Sequence, residues 1–421
     1  MNKKKLTLNE TFILALENHK KNNLRNAENL YKEVLKMNPN HFESVLCLGT
    51  LLGQTNKPEL AKPFFQKAIE LNPNDTKIHN NLAIVFQKLG EHQAAIKSFE
   101  KAISINPNYI QAHFNLGNLQ RELGNHQSAI NCYQHAIQID PTNINIINAL
   151  SNLLKLFRIG NVTENEKTNL KNLFLFLFRE NNIDHTDISH NAKLLLFDEK
   201  FENQINQLIN SNSLLLENKI IQNLLHEELL LLILQKSFIT DKFFEKLITK
   251  LRCEILFTDF DSNQNFLNKH FNFIISIAEQ SFLNEFIFFK SKKEIDKINQ
   301  FEIEISNKNK IDELEIAILS CYMPLYTSKK ITKKLLNYKS NNILFNNLIS
   351  THIKEPLNEL DLIKSIKSSG KITDSVSIKV REQYEEHPYP RWKHTNKNLS
   401  SNFLFVLKNE IKPNKIENNN I

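Results

Sequence analysis

The sequence predicts an all-α protein, a right-handed solenoid of helix pairs followed by a second helical domain, from two patterns. The first is a period of 34 residues running over residues 42–143. Pro73, Pro107 and Pro141 recur at that spacing, and aligning them brings Leu48-Gly49, Leu82-Ala83 and Leu116-Gly117 into one column. Ala61, Ala95 and Ala129 form a second column, Ala68, Ala102 and Ala136 a third, and Phe65, Phe99 and Tyr133 an aromatic one. The second pattern is a succession of apolar segments at helical spacing, as in residues 170–178, 214–235, 242–257 and 271–289. Their length and period favour helices over strands.

Each 34-residue unit reads as two amphipathic helices. Gly or Ala stands where the pair crosses, because a larger side chain there would hold the two backbones apart. Proline follows each second helix, whose hydrogen-bond ladder it cannot continue. The period and the order of small, aromatic and proline positions resemble the tetratricopeptide repeat. Residues 8–41 carry a weaker copy, with Leu14-Ala15, Ala27, Tyr31 and Pro39 in the matching columns, so the repeats are 8–41, 42–75, 76–109 and 110–143. Residues 144–157 keep the first-helix pattern through Ile147, Leu150, Ser151 and Leu154 and are expected to cap the array. No single unit buries its apolar face alone, so the units stack and leave a concave groove as the default binding surface.

The first-helix positions expected to face that groove are Lys77, Asn80, Asn81, Ile84, Gln87 and Lys88 in the third repeat and Gln111, Phe114, Asn115, Asn118 and Arg121 in the fourth. Asn81 and Asn115 occupy the same place in successive repeats, a spacing suited to an amide ladder along the backbone of an extended peptide. A lysine-rich clamp for a terminal carboxylate is not apparent, because Ile84 stands where such a clamp would want asparagine.

Composition narrows the function classes. The net charge of +7 is diluted over 421 residues, with lysine interspersed with glutamate, and no helix face collects cations with interleaved aromatics. That distribution suits a solvated surface rather than a nucleic-acid stripe. Cys47, Cys132, Cys253 and Cys321 are far apart and form no CxxC, as expected for thiols in a reducing cytoplasm. The apolar runs are too short for a signal peptide or a membrane span, and a soluble cytoplasmic protein is expected. Of seven glycines, only Gly160 and Gly370 lie outside the repeats, so a glycine-rich loop cradling a cofactor phosphate or carboxylate is not expected.

The second helical domain is expected over residues 160–370. Asp184, His185, Asp187 and His190 have metal-ligand chemistry, but an aspartate just before an apolar helix is also ordinary capping chemistry, and no metal is expected. His226-Glu227-Glu228 lacks the second histidine that a zinc protease helix requires and reads as the polar face of a leucine-rich helix.

Three further segments carry a wider resemblance: IAEQSFLNEFIF at 277–288, AILSCYMPLY at 317–326 and VREQYEEHPYPRW at 380–392. In that order after the repeats, they resemble the N-terminal and middle regions of bacterial proteins that join tetratricopeptide repeats to a class I S-adenosylmethionine-dependent methyltransferase domain. The last segment is similar to that family's QYEE-x-PYPRW signature. The resemblance implies that residues 371–421 comprise a docking segment and a polar tail at the start of a catalytic domain that this chain lacks. It also implies that S-adenosylmethionine belongs to complete family members, with no catalytic residue or cofactor site in this chain.

The residues of the docking segment support a contact role. Pro388 and Pro390 bracket Tyr389 and favour extended backbone, while Tyr384, Tyr389 and Trp392 offer amphipathic aromatic surface beside Arg381, Gln383, Glu385, Glu386 and Arg391. The expected function is a non-catalytic protein–protein interaction module. A methyltransferase whose cofactor domain comes from a separate chain is the alternative. A repeat protein of the O-linked N-acetylglucosamine transferase type comes second to that, since it needs nucleotide-binding α/β domains that a helical, glycine-poor chain does not provide.

Overall fold

The computed structural model describes residues 6–157, 159, 162–211 and 213–365, the side chains of 261 and 363–365 excepted. Among these residues the regular structure is helical and no strand occurs. The chain divides into two compact units, Met1–Phe157 and Arg158–Ile421. No helix among the described residues is long and apolar enough to cross a membrane.

The first unit contains four antiparallel pairs: α1 (Leu8–Lys20) with α2 (Leu24–Met37), α3 (Phe42–Gln54) with α4 (Pro58–Leu71), α5 (Thr76–Lys88) with α6 (His92–Ile105), and α7 (Ile110–Glu122) with α8 (His126–Ile139). A ninth helix, α9 (Ile144–Leu156), packs on α8. The alanine and aromatic columns are the core: Ala27, Ala61, Ala95, Ala129, Ala68, Ala102 and Ala136 are wholly buried with Tyr31, Phe65, Phe99 and Tyr133. The close crossing is tightest at Gly117, where an added Cβ would lie 2.7 Å from Tyr133 Cε1.

Two further devices recur at the repeat period. Between the helices of each pair one residue takes a left-handed backbone, at Asn22, Asn56, Gly90 and Gly124 with φ of 61°, 57°, 74° and 78°. Glycine and asparagine are the residue types that tolerate this conformation. Where repeats join, His79 and His113 bond through Nε2 to the carbonyl oxygens of Pro73 and Pro107, each at 2.8 Å. These bonds tie the start of each first helix back to the proline turn before it.

In the second unit the helices are α10 (Glu164–Arg179), α11 (His185–Leu196), α12 (Glu199–Asn210), α13 (Lys219–Leu224), α14 (Glu228–Lys236), α15 (Lys242–Phe257), α16 (Phe260–Lys269), α17 (Phe271–Leu283), α18 (Lys292–Asn307), α19 (Glu313–Ser320), α20 (Lys329–Leu335), α21 (Ile343–Ile349) and α22 (Glu355–Ser365). Three short stretches interrupt them: 3₁₀ turns at Leu215–Glu217 and Leu325–Thr327, and a π-helical turn at Ser350–Lys354.

Two of the apolar stretches expected to be helical are helical with interruptions. Residues 214–235 split into the first 3₁₀ turn, α13 and α14, because Asn218 and Glu227 cap new helices by accepting from the Ile220 and Leu229 amides. Residues 271–289 end their helix at Leu283. There Glu285 and Phe286 turn left-handed, and the Phe286 N–H closes onto Ser281 O at 2.8 Å. In the 184–190 stretch Asp184 caps α11 by accepting from Thr186 N at 2.9 Å, and His185 is buried against Phe178. Glu227 and Glu228 pair with Lys171 and Arg179, so the acidic stretch after His226 pins α14 to α10.

Candidate functional site

The candidate groove residues of the third and fourth repeats lie on α5 and α7, and a hydrogen-bonded chain of amides joins the two helices. Asn115 donates from Nδ2 to Asn80 Oδ1 at 3.1 Å, and Asn80 donates in turn from Nδ2 to Asn81 Oδ1 at 3.3 Å. Asn80 is only 4% exposed and serves as the link, a role that its position in the pattern did not reveal. The remaining positions differ in exposure: Lys77 and Gln111 are exposed, whereas Asn81, Gln87, Asn115, Asn118 and Arg121 are half-buried.

Each half-buried amide is oriented by a neighbour. Asn118 accepts through Oδ1 from the Tyr133 hydroxyl at 2.7 Å, and Gln87 donates from Nε2 to Glu122 Oε2 at 2.7 Å. An amide has two donor hydrogens on nitrogen and two acceptor sites on oxygen. The oxygens of Asn81 and Asn118 are thus engaged while their NH₂ groups make no bond among the described residues, and in Gln87 and Asn115 the nitrogens are engaged while the oxygens are not. Burial pushes the Tyr133 hydroxyl up to about 12, with the Arg121 charge acting in the opposite direction. The phenol thus stays protonated and continues to donate to Asn118. Lys88 bridges to the neighbouring repeat through Nζ, which donates to Gly53 O at 2.8 Å.

The second unit brings two of the three family-like segments together around one side chain. Arg252 on α15 is 1% exposed and donates from Nη1 to Cys321 O at 3.2 Å and from Nη2 to Phe289 O at 2.8 Å. Its guanidinium lies 4.2 Å from the centroid of the Tyr322 ring. Tyr322 donates through its hydroxyl to Glu294 Oε1 at 3.1 Å, and Lys290 donates to Tyr322 O at 2.8 Å. Sequence reasoning did not single out Arg252, since nothing in the run of α15 distinguishes it from Lys242, Lys246 and Lys250 on the same helix. Residues 381–392, the docking segment, lie outside the described residues.

The thiols are free: Cys321 is buried and Cys47, Cys132 and Cys253 are half-buried. Burial raises all four, Cys132 to about 11 and Cys321 to about 12, so none is poised as a nucleophile near neutral pH. No group of three or more metal-ligating side chains gathers among the described residues. Residues 162–365 contain no glycine, and no strand occurs among the described ones.

The stacked pairs with alanine and glycine at every crossing, the proline turns and the recurrent left-handed corner decide the nature of the first unit. It is an array of tetratricopeptide repeats. The tetratricopeptide repeat family matches residues 74–142, and again residues 12–41 and 46–75. Among solved structures, a crystal structure of MamA protein is 21% identical over 49% of this chain and 97% of its own, with a TM-score of 0.34. Another crystal structure of MamA is 23% identical over 46% of this chain and 96% of its own, with a TM-score of 0.33. MamA 41-end from Desulfovibrio magneticus RS-1 is 19% identical over 32% of this chain and 77% of its own, with a TM-score of 0.32. No curated protein matches the chain.

Proposed function

We propose that the tetratricopeptide array is a cytoplasmic protein–protein interaction module that holds an extended peptide against α5 and α7. The observation that carries this reading is the polarity of the amide network. Asn81 and Asn118 are left offering NH₂ groups, and Gln87 and Asn115 offering carbonyl oxygens. A peptide backbone in extended form presents N–H and C=O groups in alternation and is the complementary partner. Lys77 and Arg121 add positive charge to the same two helices, so acidic side chains in the peptide are favoured.

The test is a random peptide library selected on the full chain, followed by affinity measurement. Amide contacts to backbone are worth about 0.5–1.5 kcal/mol each. The Asn81→Ala, Asn115→Ala double variant should therefore bind selected peptides several-fold more weakly. Lys97→Ala, an exposed position on α6, should leave affinity unchanged. Equal binding by the double variant would remove the groove from consideration.

For the remainder of the chain, the resemblance supports its being the non-catalytic portion of an S-adenosylmethionine-dependent methyltransferase-like protein, whose docking segment serves a methyltransferase domain in trans. The support beyond the motifs themselves is that Arg252 bonds to the carbonyl of Cys321 in the second quoted segment, lies 5.6 Å from the Phe288 ring at the end of the first, and bonds to the carbonyl of Phe289 just after it. Calorimetric titration of the chain alone with S-adenosylmethionine should then give no saturable heat. A micromolar or tighter site would overturn that assignment.

A further inference from the structure

A cleft of about 550 Å³ opens in the second unit between the 214–222 turn and the 250–266 stretch. Its volume lies in the range of small-molecule sites. The hydrogen bonds around it follow a consistent direction. Gln222 donates its amide to Leu216 O at 2.9 Å, Thr258 donates its hydroxyl to Glu254 O at 2.8 Å, and Asn263 donates its amide to Asp259 O at 3.2 Å. The Thr258 hydroxyl spends its only hydrogen on backbone, and Gln222 and Asn263 each spend one of two, whereas the amide oxygens of Gln222 and Asn263 remain as acceptors toward a ligand.

Charge points the same way. Three carboxylates line the cleft, Glu217, Glu254 and Asp259, against one cation, Lys250. Glu254 is the central one, only 8% exposed. Its Oε2 accepts from Leu216 N at 3.0 Å, while Oε1 is buried without a hydrogen-bond donor. Lys250 Nζ stands 3.6 Å from that oxygen, beyond hydrogen-bond length. A buried carboxylate oxygen lacking a donor is destabilising, and a donor brought in from the cleft relieves it. Phe257 and Leu214, each about half exposed, and Phe266 form the apolar lining beside these groups.

We infer that this cleft is a binding site for an amphipathic organic cation, a small molecule with an aromatic or aliphatic body and one ammonium or amidinium group. The cationic head replaces Lys250 at Glu254 Oε1, and the apolar body rests on Phe257, Phe266 and Leu214. The cleft lies entirely within the second unit, so this assignment stands or falls separately from the peptide groove.

Titration calorimetry on the full chain tests it with phenethylamine and benzamidine as probes and phenylpropionate as a control of similar size and opposite charge. The two cations should bind saturably and phenylpropionate should not. Glu254→Gln keeps an acceptor for Leu216 N and removes the charge, and it should weaken cation binding about ten- to a hundred-fold. Lys250→Met removes the competing ammonium and should tighten binding, a change that a merely structural role for Lys250 would not produce. Because Glu254→Gln could fail to fold, Asp259→Asn serves as a second, rim variant and should weaken binding a few-fold. Failure of both cations to bind, equal binding of phenylpropionate, or weaker cation binding in Lys250→Met would each overturn the assignment.

Discussion

Two glycines on the first helices of the array should respond to the same substitution with opposite sign. At Gly117 an alanine methyl would stand 2.7 and 2.8 Å from two ring carbons of Tyr133 and 3.2 Å from Cys132 Cβ. The ring cannot slide away freely, since Tyr133 is wholly buried and its hydroxyl is bonded to Asn118 at 2.7 Å. Overpacking of this kind costs about 1–3 kcal/mol, and disturbing the hydroxyl bond adds about 0.5–1.5. Against this, alanine gains about 1 kcal/mol over glycine within a helix. Gly117→Ala should therefore destabilise by about 1–3 kcal/mol. At Gly53 the added methyl meets only Val85 Cγ2 at 3.9 Å, an ordinary contact. Gly53→Ala should accordingly stabilise by up to about 1 kcal/mol. Urea unfolding followed by circular dichroism reads both, with the Gly117 variant's midpoint moving down and the Gly53 variant's moving up. If the two midpoints shift in the same direction, the helix crossing has been placed in the wrong register.

Other consequences concern the corners, the buried arginine and a histidine. Gly90→Ala and Gly124→Ala should each cost about 1–2 kcal/mol through left-handed backbone strain, and Gly90→Asn should recover most of that, as asparagine occupies the equivalent corner at residues 22 and 56; urea midpoints check both. Arg252→Lys should lower the stability of the second unit by about 2 kcal/mol or more, because an ammonium reproduces neither the paired carbonyl contacts nor the stacking on Tyr322; an unchanged melting temperature would contradict this. Burial, with help from the neighbouring His226 and Lys269, pulls His270 from 6.5 down to about 4. Between those values the unfolded chain binds a proton that the folded chain does not, so this contribution to stability is complete above pH 6.5 and declines as pH falls toward 4. His270→Phe should flatten that part of the pH–stability curve, and an identical slope in the variant would count against it.

The repeat array was legible because its packing is periodic. Every wholly buried alanine of the columns returns at the same spacing, so one sequence carries several copies of the same constraint. The left-handed corners could have been read too, from Asn22, Asn56, Gly90 and Gly124 at that spacing, as could the His79 and His113 bonds. Amide orientation was not accessible, since whether Asn80 faces a peptide or links Asn81 to Asn115 depends on partners from another repeat. In the second unit no register repeats. Apolar runs there reveal helices but not the capping residues that split them, and Arg252 reaches Phe289 and Cys321 across long sequence separations. The acceptor-lined cleft likewise combines side chains from separate helices around Glu254, whose burial no local pattern announces.

The central claim is that the face formed by α5 and α7 is where a partner peptide lies. Amide hydrogen exchange of the full chain with and without a selected peptide tests it most directly. Saturating peptide should slow exchange in residues 76–88 and 110–122 and leave residues 92–105, on the second helix of the third pair, unchanged. Protection confined to 92–105 and 126–139, or to the second unit, would place the partner elsewhere and contradict the account.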